Sequence, residues 1–265
     1  MRTRSVQHRL TQPVRRTAVP VLTGTGRGLR VRFGESTLVR AFKTVEGRVE
    51  TAIIGELADG KVFYDIGANI GWYSLLAARA VGSGGRVLAF EPSLSNASLA
   101  QHNASVNRFA NVTVVCAALT DQDGWLTFLD KGNLQGRLDK DDFDAQAEFR
   151  AKRDQGVLGR SPVPVARLDS WLEQTGQPPP DVVKIDVEGA ELGVLRGMAR
   201  TIADSGPTLV IELHRTSQMV ADFLDGAGYE HAPIEVDGPT REAPPLVHVL
   251  ARPAGARQAG PPTGN

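Results

Sequence analysis

Cysteine is almost absent from this chain: Cys116 is the only one in 265 residues. An intramolecular disulfide is therefore excluded, and so is a zinc site built on cysteines. Cys116 sits in the apolar run NVTVVCAAL, where a buried, inert thiol is expected. Long apolar runs are missing as well. None reaches the length of a membrane span, and no apolar core follows the first arginines as a secretory signal would require. Net charge is also lacking, since 30 basic side chains balance 30 acidic ones. No global field then favours nucleic acid or a membrane surface, and a cytoplasmic protein with a small-molecule partner is expected. No internal repeat is evident. Acidic residues are missing before Glu35, where Arg2, Arg4, Arg9, Arg15, Arg16, Arg27, Arg30 and Arg32 all occur. Residues 1–50 read as a solvated basic arm and lead-in, with a nucleic-acid arm or a transit peptide as the other readings. Residues 253–265, rich in proline and glycine, read as a disordered tail.

Between these ends, over residues 51–252, short apolar runs alternate with helical patterns. KVFYDIG, GRVLAFEP, NVTVVCAAL, PDVVKIDVEG and PTLVIELH read as buried strands. WYSLLAARAVG, SLSNASLAQHNASVN, AELGVLRGMARTIA and TSQMVADFLDGAG read as the helices between them, and YEHAPIE and PLVHVLAR as closing strands. Such alternation implies a parallel sheet covered on both faces, with ligands bound beyond the carboxyl ends of the strands. Residues 130–162 interrupt the rhythm with a charged stretch, either a surface loop or a lid. Its flanks WLTFL and PVPVARL can pair as extra strands, with Trp125 and Trp171 sealing the base.

The stretch VFYDIGANIGWYS, residues 62–74, runs from an apolar strand into Asp65 and then a turn with Gly67, Asn69 and Gly71. Glycines let backbone approach a ligand closely, and the helix that follows turns its free N–H groups toward it. Glu91 ends the next strand, where a carboxylate can accept hydrogen bonds from both hydroxyls of a ribose. Two cofactor classes fit: a dinucleotide, which would make the protein an NAD(P)-dependent oxidoreductase, and S-adenosylmethionine. Asn69 stands where the dinucleotide pattern needs its middle glycine. Asp65 suits an ammonium group better than a pyrophosphate. A binding module that keeps the fold without catalysis is the third reading.

FYDIGANIGWYSLLAARAVGSGGRVLAFEP, NVTVVCAALTDQDG, VARLDSWLE, DVVKIDVEGAELGVLRGM and PTLVIELH together resemble the FkbM family of S-adenosylmethionine-dependent methyltransferases, over roughly residues 62–230. The resemblance implies an α/β fold of the class I, Rossmann-like methyltransferase type. Its sheet would be seven-stranded and mostly parallel, with helices on both faces and an antiparallel last strand. It also implies methyl transfer to a hydroxyl oxygen on a saccharide or a polyketide-type natural product. Carried over by motif, Asp65, Gly67, Asn69 and Gly71 form the methionine-side loop, Glu91 is the ribose acid, and Ala118 and its neighbours form the adenine wall. Asp121 either bonds the adenine amino group or caps the DQDG turn.

Transfer to a hydroxyl requires alignment and loss of a proton. KIDVEGAE offers Lys184, Asp186, Glu188 and Glu191 around a strand end. Lys184 and Asp186 share a strand face, and a lysine in an apolar strand needs a partner among Asp186, Glu188 or Glu212. That group reads either as a buried ion network or as a catalytic cluster with Asp186 nearest the methyl. Glu188 and Glu191 are candidates for orienting the loop. His214, beside Glu212 in IELH, is the leading base candidate because imidazole titrates near neutrality. Asp186, Glu188, Glu212 and His214 also offer ligands suited to Mg²⁺ or Mn²⁺, though no spacing demands a metal. His8, His102, His231 and His248 carry weaker signals. Trp72 and Tyr73 are expected to anchor their helix by packing.

Overall fold

A computed structural model describes residues 17–32, 46–132, 135–139 and 157–255. In chain order, β1 (Val19–Pro20) and β2 (Arg30–Val31) form a small ribbon before α1 (Gly47–Glu56). There follow β3 (Val62–Ile66), α2 (Trp72–Ala80), β4 (Arg86–Phe90), α3 (Leu94–Val106), β5 (Val112–Val115) and β6 (Ala118–Leu119). β7 (Gly124–Gly132), β8 (Gln135–Asp139) and β9 (Gly159–Ala166) come next, then α4 (Leu168–Thr175) and β10 (Val182–Ile185). The chain continues through α5 (Glu191–Gly197), α6 (Ala199–Ser205), β11 (Thr208–His214), α7 (Ser217–Gly226), β12 (Tyr229–Pro233) and β13 (Leu246–Pro253).

Seven strands make the main sheet in the order β12-β13-β11-β10-β3-β4-β5. The inner strands are parallel, and β13 runs antiparallel to both β11 and β12. The architecture read from the sequence is thus the one the chain adopts. Strand side chains alternate between two apolar cores. Tyr64, Ile66, Val183, Ile185, Leu209 and Ile211 pack with α5, α6 and α7 on one face. Phe63, Val182 and Val210 pack with α1, α2 and α3 on the other. Asp65, Lys184, Glu212 and His214 share the parity of that second set, so one face of the sheet carries the charged residues. Full burial of a side chain such as Phe63 or Leu209 stabilises the fold by roughly 1.5–3 kcal/mol.

A second sheet, in the order β6-β9-β7-β8, grows from the interrupting region. β7 pairs antiparallel with β9, from Gly124 opposite Val165 to Asp130 opposite Gly159. The flanks therefore pair as their sequences suggested, and part of the expected loop is strand β8. Residues 133–134 and 140–156, where the choice between loop and lid falls, lie outside the described residues, as do residues 256–265 of the tail.

Several expectations are corrected. The solvated arm is, over residues 17–32, packed on the domain: Val21, Leu29 and Val31 are buried in the second core. Asn103 and Asn107 of α3 bind the backbone of Arg32 and Arg30. NVTVVCAAL is not one strand. The main-sheet ladder stops at Val115, the chain turns, and β6 joins the second sheet, which leaves Cys116 exposed rather than buried. AELGVLRGMARTIA is two helices that meet at Met198. Asp169 accepts from the backbone N–H groups of Arg200 and Thr201, satisfying donors that a second helix start leaves open. Trp125, near the start of β7, stands 69% exposed instead of sealing the insertion. Trp171 packs edge-on against Phe90, with centroids 5.0 Å apart.

Candidate active site

Beyond the carboxyl ends of β3, β4, β10 and β11 lies a cavity of about 570 Å³, within the usual range for small-ligand sites. The turn after β3 forms its floor. Gly67, Asn69 and Gly71 all have positive φ, at 81°, 53° and 81°. A Cβ on Gly67 would stand 1.8 Å from the Asp186 carbonyl oxygen, so only glycine lets the turn lie against the end of β10. Gly67 and Ala68 donate their N–H groups to the Phe90 carbonyl, tying the turn to β4.

Glu91 is 5% exposed and lines the cavity. Its carboxylate accepts from the Asn69 N–H at 2.8 Å and the Ser93 N–H at 2.9 Å. Burial pushes its pKa up to about 7, against the pull of those two N–H groups and the Asn96 side chain. Ala118, Leu119, Phe90 and Phe128 supply the apolar wall. Gly67, Asn69, Glu91 and Ala118 are thus brought together as expected. Two others are not. Asp121 is exposed in the turn after β6, accepts a hydrogen bond from Thr120, and does not line the cavity. Asp65 is fully buried beneath the turn instead of facing it. It is the penultimate residue of β3, its neighbour in the sheet is Lys184, and Ser74 donates to it at 2.6 Å. Burial raises its pKa, opposed by Lys184.

The other part of the cavity is built by side chains. Lys184 is 2% exposed, donates to Asp186 at 2.9 Å, and lies 4.5 Å from the centroid of the Tyr73 ring. Burial disfavours its charge, but Asp186 and Asp65 outweigh that and raise its pKa. Burial likewise works against the charge on Asp186, and Lys184 reverses it, holding the carboxylate below its usual range. The predicted ion network is present. Glu191 is fully buried and accepts from Gly189 N–H at 2.8 Å and Thr216 hydroxyl at 3.0 Å, and pairs with His214 Nδ1 at 2.9 Å. The ring's Nε2 lies 3.7 Å from Glu188 and 3.8 Å from Glu212. Burial lowers the pKa of His214, but Glu191, Glu188 and Glu212 outweigh it and lift the value to about 9. This shift favours the protonated imidazole and weighs against the general-base role expected of His214.

Asp186, Glu212 and His214 each bring one ligand atom within 4.8 Å of the others. Lys184 already places positive charge against Asp186, and Glu191 holds the Nδ1 of His214. The sequence reading missed Glu46 and Arg137, which line the cavity, and His248, which lies behind it. Tyr73 hydrogen-bonds Glu46, and Trp72 donates to the buried Glu50 at 3.0 Å, so both aromatics anchor α2 while also facing the cavity. His231 is held by Thr240 and Asp225, away from the site.

The site thus joins a seven-stranded sheet of this order to a glycine turn after its first long strand and an acid at the end of the next. Residues 65–231, more than half of the chain, match the model of the methyltransferase FkbM domain, and the chain belongs to that family. The chain thus carries a methyltransferase domain, whose family implies S-adenosylmethionine as methyl donor, and the oxidoreductase reading falls with that match. No curated protein matches the chain. Among solved structures it is similar to methyltransferase FkbM from Methylobacillus flagellatus KT, with 18% identity and a TM-score of 0.50, over 74% of this chain and 44% of that one. The chain thus spans less than half of that protein's length. A precorrin-6y C5,15-methyltransferase from Geobacter metallireducens GS-15 gives 18% identity and a TM-score of 0.49, over 78% of this chain and 90% of that one. A SAM-dependent methyltransferase from Aquifex aeolicus gives 13% and 0.46, over 79% and 93%. No helix among the described residues is long and apolar enough to cross a membrane.

Proposed function

We propose that the enzyme methylates a hydroxyl oxygen of a small acceptor, a saccharide or a natural product. One observation carries this reading: Asp186, a carboxylate kept ionised by a buried lysine, opens on the cavity beside the glycine turn. The residues fit the donor. The turn is shaped so that nothing larger than glycine passes at Gly67, and Glu91 is a buried carboxylate facing the space where a ribose would bind. Bound there, the donor supplies an activated methyl group on a sulfonium. The chain's own residues do the rest. Gly67, Asn69 and Gly71 shape the methionine end, Glu91 grips the ribose, and Ala118 and Leu119 flank the adenine. Asp186 receives or orients the acceptor hydroxyl, while Glu188 and the protonated His214 bind the acceptor's other oxygens. Lys184 and Glu191 hold that group in place.

The test is incubation with donor labelled in its methyl group and a library of glycosides, hydroxylated aromatics and polyols, read by mass spectrometry. Label on oxygen is expected, undiminished by a chelator. Label found only on nitrogen or carbon would overturn the proposal.

A further inference from the structure

Behind the cavity, the charged side chains continue in a line. Glu212 and His248 are direct cross-strand partners on β11 and β13. The Glu212 carboxylate lies between two imidazoles, 3.8 Å from Nε2 of His214 and 3.5 Å from Nε2 of His248. His248 is 4% exposed and does not line the cavity. Its Nδ1 meets Glu235 at 2.6 Å, and its backbone N–H donates to the other oxygen of the same carboxylate. Glu235, just past β12, is one-third exposed, its side chain at 33%. The sequence Asp186, Glu212, His248, Glu235 therefore runs from the cavity, through the sheet between β11 and β13, to the surface.

The other charged groups along this line are accounted for. Glu188, Glu191 and Glu212 surround His214. Glu235, Glu212 and Glu46 surround His248, with Glu46 at 3.6 Å. The Nε2 of His248 is buried without a hydrogen-bond partner, although both neighbouring carboxylates are near. A buried polar atom left this way destabilises the fold by roughly 1–3 kcal/mol unless something uses it. Burial works against charge on this ring, but Glu212, Glu46 and Glu235 outweigh it and raise its pKa, so a proton carrier here gives up its proton at Nδ1 before it is reloaded at Nε2.

Methylation of a hydroxyl creates the need. The acceptor's O–H bond breaks, a C–O bond forms, the C–S bond breaks with its electron pair going to sulfur, and one proton is left over. We propose that it leaves through the protein, from Asp186 to Glu212, across His248 and out to solvent at Glu235. His248 releases at Nδ1 to Glu235 and is reloaded at Nε2 from Glu212, and a turn of the Glu212 carboxyl resets the path. His214, already protonated and held by Glu191, stays beside the path as a hydrogen-bond donor. This inference rests on the oxygen-methylation reading above.

The test begins without an acceptor. In protein saturated with S-adenosylhomocysteine, nitrogen-15 NMR follows exchange of the imidazole protons with solvent. Glu235→Gln, at a position one-third exposed, is expected to slow exchange at His248 about tenfold or more, the lower part of the range for positioned proton transfer. With the acceptor found by the labelled-donor screen, Glu235→Gln and His248→Asn should lower kcat by about the same factor and leave KM within about twofold. Added imidazole should restore turnover, which no purely structural defect would allow. Unchanged exchange in Glu235→Gln, or a lowered kcat that imidazole does not lift, overturns the relay. Because His248 is buried, a poorly folded His248→Asn is superseded by the Glu235→Gln result. Failure of the relay leaves S-adenosylhomocysteine binding intact, whereas a wrong donor site abolishes it in the unaltered protein.

Discussion

The two parts of the cavity are made from different materials. The part proposed for the donor is mainly backbone: three alternate positive-φ positions, N–H groups tied to Phe90 and Glu91, and one buried carboxylate. The acceptor part is almost wholly side chain, with Lys184, Asp186, Glu212 and His214 set by strand register and balanced against one another. Backbone sites tolerate substitution poorly at their glycines and well around them. A side-chain network fails through whichever charge is removed, because its members were desolvated together.

The largest expected effect tests that contrast from the acceptor side. Lys184→Met removes a fully buried cation and leaves Asp65 and Asp186 without their shared partner. Breaking a buried pair in this way is expected to lower folding stability by about 3–5 kcal/mol, read from denaturant midpoints. A loss under about 1 kcal/mol would mean that the carboxylates simply take up protons, and the network would not be what holds the strand ends. On the donor side, Glu91→Ala should weaken S-adenosylhomocysteine binding by about 1–3 kcal/mol in a calorimetric titration. Folding stability should fall far less than in Lys184→Met, because Glu91 pairs with N–H groups and no buried cation depends on it. Unaltered affinity would remove Glu91 from the ribose role.

That same contrast decides what the sequence made legible. A turn that needs glycine declares itself, because no other residue type adopts φ near 81° and lets Asp186 carbonyl pass so close to Gly67. Glu91 followed from its place at a strand end. The side-chain half was legible only where partners are near in sequence, as with Lys184 and Asp186. Glu212 and His248 lie on strands whose register no local pattern states, so His248 passed as an ordinary strand histidine. Depth was equally hidden. Asp65 and Glu91 both close apolar strands, yet only Glu91 faces the cavity, since Asp65 is followed by one more strand residue and turns under α2. Breaks set from a distance were missed for the same reason: Asp169, on another helix, starts α6, and the end of pairing with β4 exposes Cys116. The raised pKa of His214 depends on three carboxylates, of which the sequence set Glu212 beside it and grouped Glu188 with it, while Glu191, the strongest of them, was not placed there.

The smallest effect expected is a matter of protons. Burial lifts Glu91 from 4.5 to about 7. In the donor-free protein this favours the protonated native form, so that contribution to stability is complete below the ordinary carboxylate value and disappears as pH rises through about 7. Donor binding works in the opposite direction, because two ribose hydroxyls donate best to an ionised carboxylate. Near pH 7 the bound state should therefore hold fewer protons than the free one, with about half a proton released per S-adenosylhomocysteine bound. Affinity should rise by up to about tenfold over the unit below pH 7 and level off above it. Titration calorimetry in two buffers of different ionisation heat reads the release directly, and Glu91→Gln should abolish both it and the slope. If the release survives in Glu91→Gln, the titrating group lies elsewhere in the cavity. The donor half would then owe its pH response to the side-chain network and would no longer be the simpler of the two.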